Sequence, residues 1–459
     1  MSETTAVTTE HISESHVSKD DSQEPAKKKL KSGNVSEVDN LHLSKLPDAQ
    51  YYEKSYMHRS TVSHIIVTRT DFIISGSVDG NVKFWKKADG AGIDFVKHFR
   101  AHLSPLIGLI ASDDGLFCCS FSEDKSCKIF DVINFDMINI LKLAFIPLVA
   151  CFIYNPDDAA IAIAISACDN ASVHVFDARG SSEPLRVLDR LHSRPVQCIA
   201  YNAVFGVVLS SDLAGAIEYW SGPSGDYAFP ERAVQFQYKS DTSLFELARR
   251  HTTAIQLAFS PDGLQLAVLC ADRSIRLFNF LTGFSRLCRE HLVLFHLQID
   301  FTESTCVVLG KLRKVIDESV ATYEEREKKA AHLEQMELLR RLALERELER
   351  QTAAGESLAA AGSGREAAKE AKEGGAGSGT TPSSAAAEDD GTQSTPALPV
   401  ACALRLSNLL FDRSGSFLLF AGPLGVKVLN LHTNAVRRLI GLHENGRFIQ
   451  LALFQGVNR

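Results

Sequence analysis

From Tyr51 onward the chain is written in short apolar runs of strand length, separated by residues that turn the backbone. Phe72-Ile-Ile-Ser75-Gly-Ser-Val-Asp79-Gly-Asn-Val-Lys-Phe-Trp85 holds two such runs on either side of Val78-Asp79-Gly80-Asn81. Asp-Gly-Asn accepts the backbone angles of a tight reversal, so the stretch predicts two antiparallel strands joined by a hairpin. The same design returns through 116–131, 159–177, 207–220 and 259–278, and more faintly through 404–440. Units of roughly forty to fifty residues, each a small antiparallel sheet, point to sheets repeated about an axis.

Four positions keep nearly constant offsets within these units. The first unit carries His58, Ser75, Asp79 and Trp85, and the second carries His102, Ser120 and Asp124 with Phe130 in place of Trp. The fourth has His192, Ser210 and Trp220, with Asp212 two places early, and the fifth has His251, Asp272 and Phe278, with Val268 where Ser would stand. The third unit keeps Asp169-Asn170 and Phe176 but has no matching His. These are the positions of the buried polar network of a WD-repeat blade, in which the imidazole bonds Ser and Asp and the indole N–H reaches the network edge. The fold expected is all-β: a WD-repeat β-propeller on a seven-bladed plan with its last blade truncated, plus a charged helical segment and a disordered tail and linker. His, Ser and Asp are also the ingredients of a hydrolase triad. A single active site would not return at a fixed period, so the set reads as structural and no catalytic residue is assigned.

The remaining segments follow from composition. Residues 1–50 are rich in Ser, Thr, Glu and Lys and read as a disordered tail. Within it Lys27, Lys28, Lys29 and Lys31 follow Pro25, a cluster suited to a nuclear import receptor or equally to a solvated charge run. Blades fill 51–283. The outer strand expected after Leu281-Thr282-Gly283 comes only at Lys311–Val315, so 284–310 reads as an insertion. Residues 311–351 supply that strand and then a Glu-, Arg-, Leu- and Ala-rich helix with Leu338/Leu342 and Leu344/Leu348 spaced four apart, either packed on a surface or solvated. The stretch 352–399 is flexible linker. Residues 400–459 make a sixth blade without the tetrad and, at 448–454, the inner strand of a seventh. That plan leaves an incompletely closed ring with an open edge.

A net charge of −7 gives no sign of direct DNA binding, and none of RNA contact. Ten cysteines fall mostly in strand-like runs with no C-x-x-C pair, so no metal or cofactor is expected. The start of the chain is polar and no apolar run is long enough to cross a bilayer, which predicts a soluble intracellular protein with no membrane contact.

Several longer runs are more specific: Tyr52-Glu-Lys-Ser-Tyr-Met-His-Arg59, Val82-Lys-Phe-Trp-Lys-Lys87, Phe95-Val-Lys-His-Phe-Arg100, Phe130-Asp-Val-Ile-Asn-Phe-Asp-Met-Ile-Asn139, Ile217-Glu-Tyr-Trp220 and Leu451-Ala-Leu-Phe-Gln-Gly456. On these the chain resembles the family that joins a WD-repeat propeller to a cyclophilin-type peptidyl-prolyl isomerase. The resemblance implies a nucleus-localised scaffold that docks on spliceosomal proteins in pre-mRNA splicing. A generic WD-repeat adaptor in another nuclear complex is the alternative. The family's isomerase site, an Arg facing the substrate carbonyl beside an apolar proline pocket, has no counterpart in these residues, so the chain by itself is expected to be inactive.

Overall fold

The alternating pattern resolves into six antiparallel sheets, five of them four-stranded and one three-stranded. The computed structural model describes residues 37–49, 51, 55, 58–87, 92–154, 160–230, 242–282, 308–330, 333–350 and 408–455. Blade 1 is β1 (Val62–Val67), β2 (Phe72–Ser77), β3 (Asn81–Lys87) and β4 (Ile93–Arg100), and blade 2 is β5 (Leu106–Ala111), β6 (Phe117–Ser122), β7 (Ser126–Asp131) and β8 (Asp136–Lys142). Blade 3 is β9 (Pro147–Phe152), β10 (Ala162–Ala167), β11 (Val173–Asp177) and β12 (Arg186–Leu188); blade 4 is β13 (Val196–Asn202), β14 (Val207–Asp212) and β15 (Ile217–Ser221). Blade 5 is β16 (Ala254–Phe259), β17 (Gln265–Cys270), β18 (Ser274–Thr282) and β19 (Val308–Asp317), and blade 6 is β20 (Leu410–Phe411), β21 (Phe417–Gly422), β22 (Gly425–Asn430) and β23 (Ala435–Ile440).

Two irregularities recur at fixed places. The innermost pair of blades 1, 2, 4 and 5 shifts register just after its first residue, at Val62/His64, Leu106/Gly108, Val196/Cys198 and Ala254/Gln256. The outermost pair shifts at the closing aromatic or its equivalent, at Phe84/Trp85, Ile129/Phe130, Leu277/Phe278 and Val428/Leu429. A bulge re-aims the side chain beside it, and here it falls beside the closing position of blades 1, 2, 5 and 6.

Stacking between sheets makes the core. Ile74, Val82 and Phe84 of blade 1 meet Leu106, Leu109 and Phe130 of blade 2, and like clusters join each later pair as far as blades 5 and 6. Each such side chain taken from water contributes about 1.5–3 kcal/mol, an upper figure for a compact unfolded chain. The innermost strands surround a channel of about 540 Å³.

Several expectations change here. The seven-bladed plan gives way to six sheets among the described residues. Residues 448–454 pair in no sheet; Gln450, Leu451, Ala452, Leu453 and Gln455 nevertheless line the channel together with all six inner strands. The tail is not disordered throughout, because α1 (Glu37–Ser44) and Leu46 pack on the face of blade 6 turned away from blade 5. That face carries Phe417, Leu419 and Val428, which cannot stay in water. The outer strand of blade 5 begins at Val308, so residues 308–310 belong to a strand paired with β18 and not to an insertion. Residues 284–307 and the linker 352–399 lie outside the described residues, as do Lys27, Lys28, Lys29 and Lys31. Two further helices, α2 (Glu246–Arg249) and α3 (Val320–Ala330), precede α4 over 335–350.

Candidate functional site

The β2–β3 turn of blade 1 shows how one blade sets the network of the next. Gly80 has φ of 79°, open to glycine at little cost, and an added Cβ would run into the backbone carbonyl of His102. The His102 amide also donates to the Gly80 carbonyl at 3.0 Å. The turn of blade 1 therefore positions the histidine of blade 2.

In blade 1 the hydrogen bonds run in one direction. Trp85 Nε1–H donates to Ser75 Oγ at 2.7 Å, and Ser75 Oγ lies 2.7 Å from His58 Nε2. His58 Nδ1 is 3.0 Å from Ser77 Oγ, and Ser77 donates to Asp79. The order fixes a neutral imidazole protonated on Nδ1. Asp79 is thus reached through Ser77 and not by the histidine directly. Burial, then the positive charge of Lys83, holds His58 below its ordinary pKa.

Blade 2 makes the direct version. His102 Nε2 is 2.8 Å from Ser120 Oγ, and Nδ1 is 3.0 Å from Asp124 Oδ2. Distances alone would suit a triad, but Ser120 is fully buried and so is inaccessible to a substrate. In blades 1 and 4 the serine oxygen already accepts an indole N–H. In blades 1 and 2 the arrangement closes these polar groups against one another.

In blade 4 His192 Nε2 is 2.7 Å from Ser210 Oγ, to which Trp220 Nε1–H donates at 3.1 Å. Asp212, displaced by two places, still lies 3.5 Å from His192 Nδ1. It stands where Ser77 stands in blade 1, two residues after the network serine, so the shift moves the carboxylate into the relay position. Blade 5 departs further. His251 is exposed with φ of 53°, and no hydrogen bond joins it to Asp272 among the described residues. Arg276 takes its role: almost fully buried and paired in register with Val268, it donates from Nη2 to Asp272 Oδ2 at 2.9 Å and from Nε to Ser274 Oγ at 3.2 Å. Blade 3 holds Ser166 by a bond to the Val196 carbonyl at 3.0 Å and stacks His174 on Phe145 at 4.4 Å.

Blade 6 has a network that the sequence pattern did not show. Lys427, paired with Phe420 at the register position of Arg276, is buried, bonds Glu318 at 2.7 Å and sits 4.2 Å from the centre of the Tyr323 ring. Glu318 and Tyr323 belong to the segment that leads into the helical hairpin. Leu338 and Leu342 of α4 cluster there with Val320, Tyr323 and Leu424. Glu345 accepts from Arg273 at 2.9 Å and from Arg447 at 2.8 Å, while Arg341 donates to the carbonyls of Pro423, Leu442 and Glu444. Of the two expectations for this helix, the packed one holds, although Leu344 and Leu339 remain exposed.

Among the described residues no group of three or more His, Cys, Asp or Glu is placed to hold a metal ion, and no helix is long and apolar enough to cross a membrane. Repeated four-stranded blades with buried His–Ser networks accord with the match of the WD40 family model, WD domain G-beta repeat, at residues 54–86, 93–131 and 243–279. Over 92% of its length the chain is 38% identical to "Peptidylprolyl isomerase domain and WD repeat-containing protein 1" of Mus musculus, covering 53% of that protein. The chain is a WD-repeat homologue of these isomerase-named proteins. It is also 37% identical over 92% of its length to "Peptidyl-prolyl cis-trans isomerase CYP71" of Arabidopsis thaliana, covering 54% of it, and 28% identical over 91% to "Peptidyl-prolyl cis-trans isomerase 9" of Schizosaccharomyces pombe, covering 57%. The chain spans about half the length of the curated relatives it matches.

Proposed function

We propose that this chain is the docking propeller of a nuclear, spliceosome-associated isomerase of the propeller–cyclophilin type, and acts in pre-mRNA splicing by holding spliceosomal proteins. The observation that carries the reading is the homology to isomerase-named proteins along a stretch of stacked blades in which His58, His102 and His192 are bonded to serines inside the sheets. Networks that turn His58, His102 and His192 into the blades leave the outer faces of the blades for partners. Import through Lys27, Lys28, Lys29 and Lys31 fits that setting.

Two measurements test the reading. A proline-isomerisation assay on the 459-residue chain should show no rate above the uncatalysed one, which is slow enough to serve as a baseline. Affinity purification from nuclear extract should recover spliceosomal proteins. Acceleration in the first would overturn the scaffold role, and recovery of a different nuclear complex would favour the adaptor alternative. Replacing the four lysines by alanine should move a fluorescent fusion out of the nucleus.

A further inference from the structure

The outermost strand of blade 2 carries few polar residues for its place. In β8 only Asp136, Asn139 and Lys142 are polar, and Met137, Ile138 and Ile140 are 42, 39 and 40% exposed. Register fixes which way they face. Met137 pairs with Phe130, which packs against blade 1, and Ile140 pairs with Lys128, which donates to the Ala101 carbonyl on the same side. Ile138 is the bulged residue between them. Opposite, on β4, Phe99 is half-buried, its ring centre 5.0 Å from that of buried Phe130 and 5.2 Å from Lys97 Nζ. Blades 1 and 2 thus part into an apolar groove on a packed aromatic floor, and contiguous apolar surface of that kind marks a site of association.

The rim says what fits. A strand has no edge to join on blade 2: the Ile140 N–H donates to Asn139 Oδ1 at 2.8 Å, the Lys142 N–H donates to Ser182 Oγ at 3.0 Å, and the Asn139 amide donates across the edge to the carbonyls of Ala178 and Gly180. The groove therefore takes side chains, as from one stripe of a helix. Its charge is uneven along its length. At one end Asp94 and Asp136 stand with Lys86 and Lys97, and Lys97 bonds Asp136 at 2.9 Å. At the other end Lys128 and Lys142 follow Ile140, and the acid nearest them in the sheet, Asp124, is engaged by His102 and Ser126.

We propose that the groove between β4 and β8 docks an amphipathic helix of a partner protein, with its apolar stripe over Phe99, Met137, Ile138 and Ile140 and acidic side chains toward Lys128 and Lys142. A strand the length of β8, about 20 Å, is matched by about thirteen helical residues. Apolar anchors over the aromatic floor give such a site its affinity, and the two lysines select the sign of the partner. The inference rests on the docking role above.

Fluorescence anisotropy with labelled peptides of about fifteen residues, long enough to span the strand as a helix, tests it. A peptide with Leu at i, i+3, i+4 and i+7 and Glu elsewhere should bind the 459-residue protein saturably, about tenfold or more tighter than the same stripe with Lys for Glu and than the same residues shuffled to leave no stripe. The pair Ile138→Ser and Ile140→Ser should weaken it about tenfold. Lys142→Glu, at an exposed side chain, should weaken it about threefold with the melting temperature unchanged. Val187→Ser, on the outer strand of blade 3, should leave it as it is. The methyl resonances of Met137, Ile138 and Ile140 should shift on binding. Equal binding of the Lys peptide, no binding, methyl shifts only elsewhere, or a dimer in sedimentation that excludes the peptide would each overturn the site. None of those results alters the nuclear-extract outcome, which decides the docking role separately.

Discussion

The side-chain amide of Asn408 takes the part of a neighbouring strand for Leu451: its Nδ2–H donates to the Leu451 carbonyl at 2.8 Å, and its Oδ1 accepts the Leu451 N–H at 2.6 Å. One blade back, Gln256 does the same for Leu409, at 3.3 and 2.6 Å. Two amides in sequence thus tie β16 to blade 6 and blade 6 to the closing segment. Asn408→Ala should remove both bonds at the last junction, each worth about 0.5–1.5 kcal/mol. Hydrogen exchange should quicken through 445–455 while the strands of blades 2 to 4 keep their protection. Uniform protection of the variant would show that the clamp holds nothing.

Stability should fall in two stages on acidification. Burial keeps His58, His102 and His174 below their ordinary 6.5 in the folded chain. As pH falls below that value the unfolded chain takes up protons first, and stability is lost down to each folded value and is constant below it. Asp79, Asp124 and Asp212 are pushed up by burial, but bonds from Ser77, Ser126 and His192 outweigh it and hold them below 3.8. Their contribution is complete above that value and lost as pH falls through the folded one. The melting temperature should be level from about pH 7 to 8, decline below 6.5 and decline again below 3.8. In His102→Gln the first decline should be shallower. A level curve from pH 7 to 4 would contradict the neutral, buried imidazoles.

How much of this was visible in the residues depends on whether the chemistry was local. The hairpin at Asp79-Gly80 and the His102, Ser120 and Asp124 set could be read because a turn and a fixed offset each lie within one unit. The role of Asp212 was half-visible: its displacement was plain, but that the imidazole reaches two residues beyond the serine shows only once Ser77 is seen beneath His58. His251 was misplaced because offset counting cannot tell that Arg276, opposite Val268, already fills the space. The Lys427 and Glu318 pair spans 109 residues and the docking of α1 on blade 6 nearly 400, so no spacing rule could expose them.

Glu345 is the pin of the helical hairpin. Its carboxylate is buried and faces Arg273 of the β17–β18 turn and Arg447 of the closing segment. Removing one partner of a buried pair leaves the other charges uncompensated, at about 3–5 kcal/mol. Glu345→Ala should therefore release 335–350 and the neighbouring 444–447, visible as faster exchange and as protease cleavage within α4, with the sheets intact. Leu342→Ala, a cavity of about 2–5 kcal/mol at a fully buried site, should give the same pattern. Cleavage of the sheets first would show that the hairpin and propeller melt as one unit.

Gly80 and Gly206 separate two costs that usually come together. Both have positive φ, 79° and 63°, so alanine at either should cost the left-handed strain of about 1–2 kcal/mol. At Gly206 an added Cβ meets nothing within 4 Å, whereas at Gly80 it meets the carbonyl of His102. Gly80→Ala must therefore also push away the segment that carries His102, loosening buried donors and acceptors at about 1–3 kcal/mol. Urea melts should show Gly80→Ala less stable than Gly206→Ala by about that difference, and His102→Ala combined with Gly80→Ala should lose less than the sum of the two. Equal melts for the two glycine variants would mean that the turn of blade 1 does not position the histidine of blade 2.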